Sequence, residues 1–223
     1  MGETRRRVLE YGTIEYYNDN GLHRDGDEPA VVQPNGGQLW YKNGEIHRDG
    51  DKPAVIHANG DQFWYKNDAR HRDGDAPACI RRFHILEWYK NGKRHRDNDL
   101  PAIVLTRGDK YWFKNGIKHR GNDLPAYVHG DKKIWYKDDK VHRETGAAVL
   151  PENEYYLEGM PYTYENWVRE LTKMQRTLLA LWFYNRLFVR RNQYISTNDY
   201  YNSYTYLPRV AFAEVLKQLS KKM

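Results

Sequence analysis

The apolar positions of this chain fall into short runs of strand length, and each run stops at a turn signal. Leu39-Trp40-Tyr41-Lys42 runs into Asn43-Gly44, and Ala54-Val55-Ile56-His57 runs toward Asn59-Gly60. Asn-Gly is the strongest short hairpin signal, because both residues accept the positive φ that a type I′ turn demands. Between the runs lies Asp49-Gly50-Asp51-Lys52-Pro53. Its Asp and Gly favour turns, and its Pro donates nothing to a ladder. The pattern predicts a two-strand β-meander unit, stacked into one long antiparallel sheet.

The unit recurs. His23, His47, His71, His95, His119 and His142 stand 24, 24, 24, 24 and 23 residues apart. Such a period marks an array of like supersecondary units. Seven residues before each His comes an aromatic: Tyr16, Trp40, Trp64, Trp88, Trp112 and Trp135. The next column is Tyr17, Tyr41, Tyr65, Tyr89, Phe113, Tyr136 and Tyr156, the last from a seventh half-unit spanning Tyr155 to Tyr162. Adjacent strand residues point to opposite faces, so the Trp stripe is expected on one face and the Tyr stripe on the other. Two strands per unit advance about 10 Å, which makes a ribbon of about 60 Å. Stacked units bury each other's apolar stripes.

Two polar columns follow the same ruler. Arg24, Arg48, Arg72, Arg96, Arg120 and Arg143 are one; Asp27, Asp51, Asp75, Asp99 and Asp123 are the other. They read as an ion-pair and turn-capping ladder along one edge. Exposed pairs give only about 0–1 kcal/mol each, so their job is register more than stability.

From residue 163 the pattern changes to helical spacing. Trp167, Leu171, Met174, Leu178, Leu181 and Phe188 form one stripe, with Trp182 beside it. This predicts an amphipathic helix of about 25 residues, N-capped by Thr163. A Tyr-rich polar segment, 194–206, reads as a long loop, and Pro208 opens a second helix with Phe212, Val215, Leu216 and Leu219 on its apolar face. The division is a β-repeat ribbon over 1–162 and a helical region over 163–223, α+β overall. An array needs its last unit covered, and the helical region is the candidate cap.

Composition and charge sharpen this picture. Only 39% of residues are hydrophobic, 30% are charged and the mean hydropathy is −0.98, which is poor for one large core. The aromatic fraction of 14% supplies large flat side chains suited to a sheet. Residues 163–223 carry ten Lys/Arg and four Asp/Glu, which is the chain's whole net charge of +6. The repeat region is neutral. The single cysteine, Cys79, excludes an internal disulfide and a Cys zinc cluster. It occupies the slot of Val31, Val55 and Ile103 and reads as a small buried hydrophobe. The stretch Met1–Arg7 has no apolar run, and 18 consecutive apolar residues occur nowhere. No signal peptide and no membrane span are therefore expected, and the location is expected to be intracellular.

The string Trp-x-x-Asn-Gly-x-x-His, followed by small residues and another turn, is similar to the MORN repeat. Here Arg follows the His, and Asp-Gly-Asp-x-Pro-Ala replaces the usual Gly-x-Gly, so the unit is a MORN-like variant. The run from Trp88 to Ala102 resembles more closely the repeat proteins that large DNA viruses of amoebae, marseillevirus-like ones especially, encode in many copies. The resemblance covers roughly residues 10–162. It implies a single-layer β-ribbon acting as scaffold or binding surface, and in that setting a minor structural component of the particle or a host-directed adaptor in the infected cell.

Catalytic and cofactor chemistry find little support in the residues. One His per unit, about 10 Å from the next, does not assemble the four close ligands of a zinc site. Asp-Gly-Asp lacks the bidentate Glu of an EF-hand loop. His57, His84 and His129 depart from the repeat but fall in variable turns and read as solvated. No Gly-x-Ser-x-Gly and no phosphate-cradling Gly-rich loop is present. No catalytic, metal or cofactor residue is assigned. The partner-binding candidates are Trp40, Trp64, Trp88, Trp112, Trp135, Tyr41, Tyr65 and Tyr89, facing another protein or a second copy. Nucleic-acid binding through Arg186, Arg190 and Arg191 of the basic tail is the rival reading.

Overall fold

The structure, a computed structural model, describes residues 3–188. The chain divides into two compact units, Met1–Pro161 and Tyr162–Met223. The first is a long antiparallel strand meander. One sheet starts from Arg5–Val8 and Ile14–Asn18 and continues through Val31–Val32, Gln38–Leu39, Val55–Ile56 and Gln62–Phe63. It goes on through Cys79–Arg81, Ile85–Glu87, Ile103–Val104, Lys110–Tyr111, Tyr127–His129 and Lys132–Ile134 to Val149–Leu150.

The expected single sheet is in fact two kinds of ladder. Tyr41–Lys42 does not join the long sheet; it pairs only with Glu45–Ile46, and Tyr65–Lys66 pairs likewise with Ala69–Arg70. Tyr89–Lys90, Phe113–Lys114, Tyr136–Lys137 and Tyr155–Leu157 head further two-stranded hairpins. The tryptophan marks the change of ladder. The Trp40 N–H donates to the Ala54 carbonyl at 2.8 Å, and the Trp40 carbonyl accepts from the His47 amide at 3.1 Å. Trp64, Trp88, Trp112 and Trp135 repeat both bonds with their own Ala and His.

The two Asn-Gly signals also differ from each other. Asn43 and Gly44 have φ of 52° and 88°, the paired left-handed geometry of a type I′ turn. Asn67-Asp68, Asn91-Gly92, Asn115-Gly116, Asp138-Asp139 and Glu158-Gly159 share it. At Asn59-Gly60 only the Gly is left-handed, with φ 88°. There the Gly60 amide donates to the His57 carbonyl and the His57 amide to the Asp61 carbonyl, both at 2.9 Å. That is a three-residue loop closed by a Gly bulge, and the Asn59 side chain ties the Asp61 amide instead of occupying the left-handed position.

The core is thin and regular. Trp40, Trp64, Trp88, Trp112 and Trp135 are 6–8% exposed, and the Ala column Ala30, Ala54, Ala78, Ala102, Ala126 and Ala148 is fully buried. Each buried indole removes about 200 Å² from water, a gross gain of about 5 kcal/mol. On the opposite face, strand register lines up Val31, Leu39, Val55, Phe63, Cys79, Glu87, Ile103, Tyr111, Tyr127, Ile134 and Val149 in one row. Cys79 is fully buried in that row, in contact distance of Val55 and Phe63.

In the second unit, α1 spans Tyr164–Phe188. Thr163 caps it, accepting the Asn166 amide on its hydroxyl at 3.3 Å. The Tyr-rich segment and the second helix expected from Pro208 lie outside the described residues.

Candidate functional site

The conspicuous polar columns join one segment to the next. Arg72 shows the arrangement. Its guanidinium carbon lies 4.0 Å from the centroid of the Trp64 ring. Its Nε and Nη2 donate to the two oxygens of Asp51 at 2.6 and 2.8 Å, and its Nη1 donates to the Pro77 carbonyl at 3.1 Å. Asp51 belongs to the preceding segment, 21 residues back. Arg48 with Asp27, Arg96 with Asp75, Arg120 with Asp99 and Arg143 with Asp123 do the same, each over its own tryptophan. Only arginine presents a planar fork that can stack on an indole and grip a carboxylate at once. The ladder therefore bridges segments and roofs the tryptophans, beyond the register role expected of exposed pairs. The Arg72 bond holds the Asp51 carboxyl below the usual carboxylate range.

The histidines form a second bridge. The Asn43 amide donates to His23 Nδ1 at 3.1 Å, and the Asn67, Asn91 and Asn115 amides donate in turn to His47, His71 and His95. An accepting Nδ1 requires the Nε2–H tautomer. Nε2 then donates to the carboxylate two residues on: Asp25, Asp49, Asp73 and Asp97 at 2.9–3.1 Å. Both ring nitrogens are thereby used. Gly121 replaces the carboxylate after His119, whose Nδ1 sits 3.3 Å from Asp138 instead. Among the described residues no group of three or more His, Cys, Asp or Glu stands close enough to hold a metal. His57, His84 and His129 are exposed; His84 lies in a turn and His57 borders one, whereas His129, expected in a turn, ends the strand Tyr127–His129 and pairs with Lys132.

The other face carries the tyrosines. Tyr41, Tyr65 and Tyr89 are half-buried, and so are Phe113 and Tyr136. The tryptophan candidates are internal, roofed by their arginines, so of the two stripes it is the tyrosines that a partner can reach. Arg186 falls in the last turn of α1; its side chain, with Arg190 and Arg191, lies outside the described residues.

One cluster on the tyrosine face was not anticipated from the repeat. Glu87 occupies the row position held elsewhere by Leu39, Phe63, Tyr111 and Ile134, and it is 3% exposed. Arg81 Nη2 lies 3.1 Å and Arg94 Nε 3.2 Å from its oxygens, and the Tyr89 hydroxyl donates at 2.9 Å. Burial alone would push this carboxyl up; the Tyr89 bond and the two guanidiniums outweigh it and hold it below its usual range. Arg70 completes the group, donating to the Tyr65 hydroxyl at 2.9 Å. The Cys79 thiol is 3.7 Å from Glu87, and burial pushes its pKa up, the opposite of an activated nucleophile. The readable signal was the break in two columns: Glu87 among apolar residues, and Arg70, Arg94 and Lys118 where Leu22, Ile46 and Val141 stand.

These features define an antiparallel strand meander whose recurring polar residues bridge neighbouring segments, followed by a capped helix. No family model matches the chain, and no curated protein matches it. Among the described residues no helix is long and apolar enough to cross a membrane.

Proposed function

We propose that this chain is a non-enzymatic protein-interaction scaffold, built of stacked MORN-like units of 24 residues. The observation that carries the reading is the occupation of the repeated His, Arg and Asp side chains. From Arg48 to Arg143 each arginine with its Asp, and His23, His47, His71, His95 and His142 through Nδ1, already bond one segment to the next, so the residues best suited to chemistry are engaged as structure. The surface left for recognition is the half-buried tyrosine face, with Tyr41, Tyr65 and Tyr89 at its centre. Large flat rings with a polar tip are the side chains most enriched at protein interfaces. In the setting that the repeat resemblance implies, the scaffold is a minor structural component of a large-virus particle.

The test is a photo-crosslinker, benzoylphenylalanine, placed at Tyr41 or Tyr65 of the full chain during infection. Purified particles are then analysed by mass spectrometry. The expected result is a reproducible cross-link from both positions to a protein of the particle or to a second copy. Cross-links confined to soluble host proteins would favour the adaptor reading. Adducts to nucleic acid, or none, would overturn the scaffold.

A further inference from the structure

The tyrosine face changes character along its length. The hairpin position opposite the tyrosine is apolar at Leu22, Ile46 and Val141 but cationic at Arg70, Arg94 and Lys118. Each cation lies between the rings of two successive segments. Arg70 is 5.4 Å from the Tyr65 centroid and 4.8 Å from that of Tyr89. Arg94 is 5.7 Å from Tyr89 and 5.6 Å from Phe113. Lys118 Nζ is 4.3 Å from Tyr136. Cation and ring thus alternate along three consecutive segments. Arg81 adds a fourth positive charge beside Arg94, their side chains 40% and 42% exposed.

Glu87 cannot balance this group. A carboxylate accepts at two oxygens, whereas each guanidinium brings five N–H donors. Arg81 and Arg94, 40% and 42% exposed, with Arg70 and Lys118 beside them, leave this face with more positive charge than Glu87 offsets, which favours a partner carrying acidic groups.

Spacing selects the occupant. The cations recur once per two sheet strands, about 10 Å. A polyproline II segment has three residues per turn and rises about 3.1 Å per residue, so every third side chain returns to one face after about 9.3 Å. A β-strand fits poorly, because residues three apart point to opposite faces. Single-stranded nucleic acid fits poorly as well: stacking needs open ring faces, and here the guanidiniums already cover them.

We propose that the face bearing Arg70, Arg81, Arg94 and Lys118 binds an extended, proline-rich segment of a protein partner carrying an acidic residue at every third position. This rests on the scaffold reading and specifies its partner.

The test is fluorescence anisotropy of the full chain with labelled (Glu-Pro-Pro)5. The comparison peptide has the same composition with its five glutamates in one block. The in-register peptide should bind saturably, at least about tenfold tighter than the block peptide, and weaken with salt. Arg70→Ile and Arg94→Ile each install the side chain that Ile46 shows the fold accepts, and each should weaken binding by about tenfold. Ile46→Arg extends the ladder by one segment and should tighten it. The proposal is overturned by equal binding of the two peptides, by indifference to Arg94→Ile, or by displacement of the peptide by equimolar oligo-dT. If the isoleucine variants do not fold, Ile46→Arg decides, and no gain of affinity overturns it. Cross-links from Tyr41 that persist while the peptide fails would sink this proposal and leave the scaffold standing.

Discussion

Replacing Arg72 by Ala should cost far more than an ordinary surface ion pair. Three contributions are removed together. The guanidinium over Trp64 is worth about 1 kcal/mol at a partly desolvated site. Uncovering about 40 Å² of the indole adds about 1 kcal/mol at about 25 cal/mol per Å². The pair with Asp51, whose side chain is 67% exposed, adds only about 0.5–1 kcal/mol. The expected loss is about 3 kcal/mol. Asp51→Asn removes the pair alone and should cost about 0.5–1 kcal/mol. Arg72→Lys keeps the charge but loses the planar fork, and should fall between the two. The assay is urea unfolding of the full chain followed by tryptophan fluorescence and far-ultraviolet circular dichroism, with the double variant closing the cycle. A loss below about 1 kcal/mol for Arg72→Ala, or one equal to that of Asp51→Asn, would refute the roofing role and reduce the column to surface charge.

Other expectations follow from the same geometry. Gly44→Ala places a Cβ 2.9 Å from the Asn20 carbonyl at φ 88°, whereas at Gly116 the nearest atom is 3.6 Å away. Both should destabilise in urea, by about 1 kcal/mol at Gly116 and about twice that at Gly44. The carboxyls of Asp49, Asp73 and Asp97 are held below their usual range by their Lys and His partners, and that of Asp25 by His23 and Thr4. A folded pKa below the unfolded one contributes stability above the ordinary carboxylate range, and this is lost as the pH falls through the lowered values. Thermal melts between about pH 5 and pH 2 should drop more steeply than those of the fourfold Asn variant; parallel curves would contradict this. Glu87→Ala leaves Arg81 and Arg94 without their carboxylate beside a cavity and should cost about 3 kcal/mol in urea, and Glu87→Leu less. Cys79 should react with a thiol reagent only after unfolding; fast reaction of the native chain would place it outside the core.

Periodicity made the larger features legible. A hairpin at every Asn-Gly of the Trp-Tyr-Lys run, the burial of Cys79, the helix after Thr163 and two unlike faces all follow from spacing and turn chemistry. The division into two ladders was not legible, because Trp40 and Tyr41 read as one strand until the Trp40 bonds to Ala54 and His47 are seen. Nor was the second turn, where Asn59-Gly60 carries the same letters as Asn43-Gly44 but closes a longer loop. Column membership suggested that the Arg and Asp columns form an ion-pair ladder without revealing that each arginine grips the Asp of the preceding segment, as Arg72 grips Asp51. The Glu87 cluster escaped for a different reason. A repeat directs attention to what recurs, whereas the cation ladder is made of residues that break the columns.

The most direct test of the stacked-unit account is to remove one unit. Deleting residues 49–72 joins Arg48 to Asp73 and preserves the His-Arg-Asp-Gly-Asp grammar across the junction. The account predicts a folded chain with a lower urea midpoint, and amide resonances that shift only near the junction. Loss of the dispersed spectrum on removing this one 24-residue segment would mean a single indivisible core, and would contradict it.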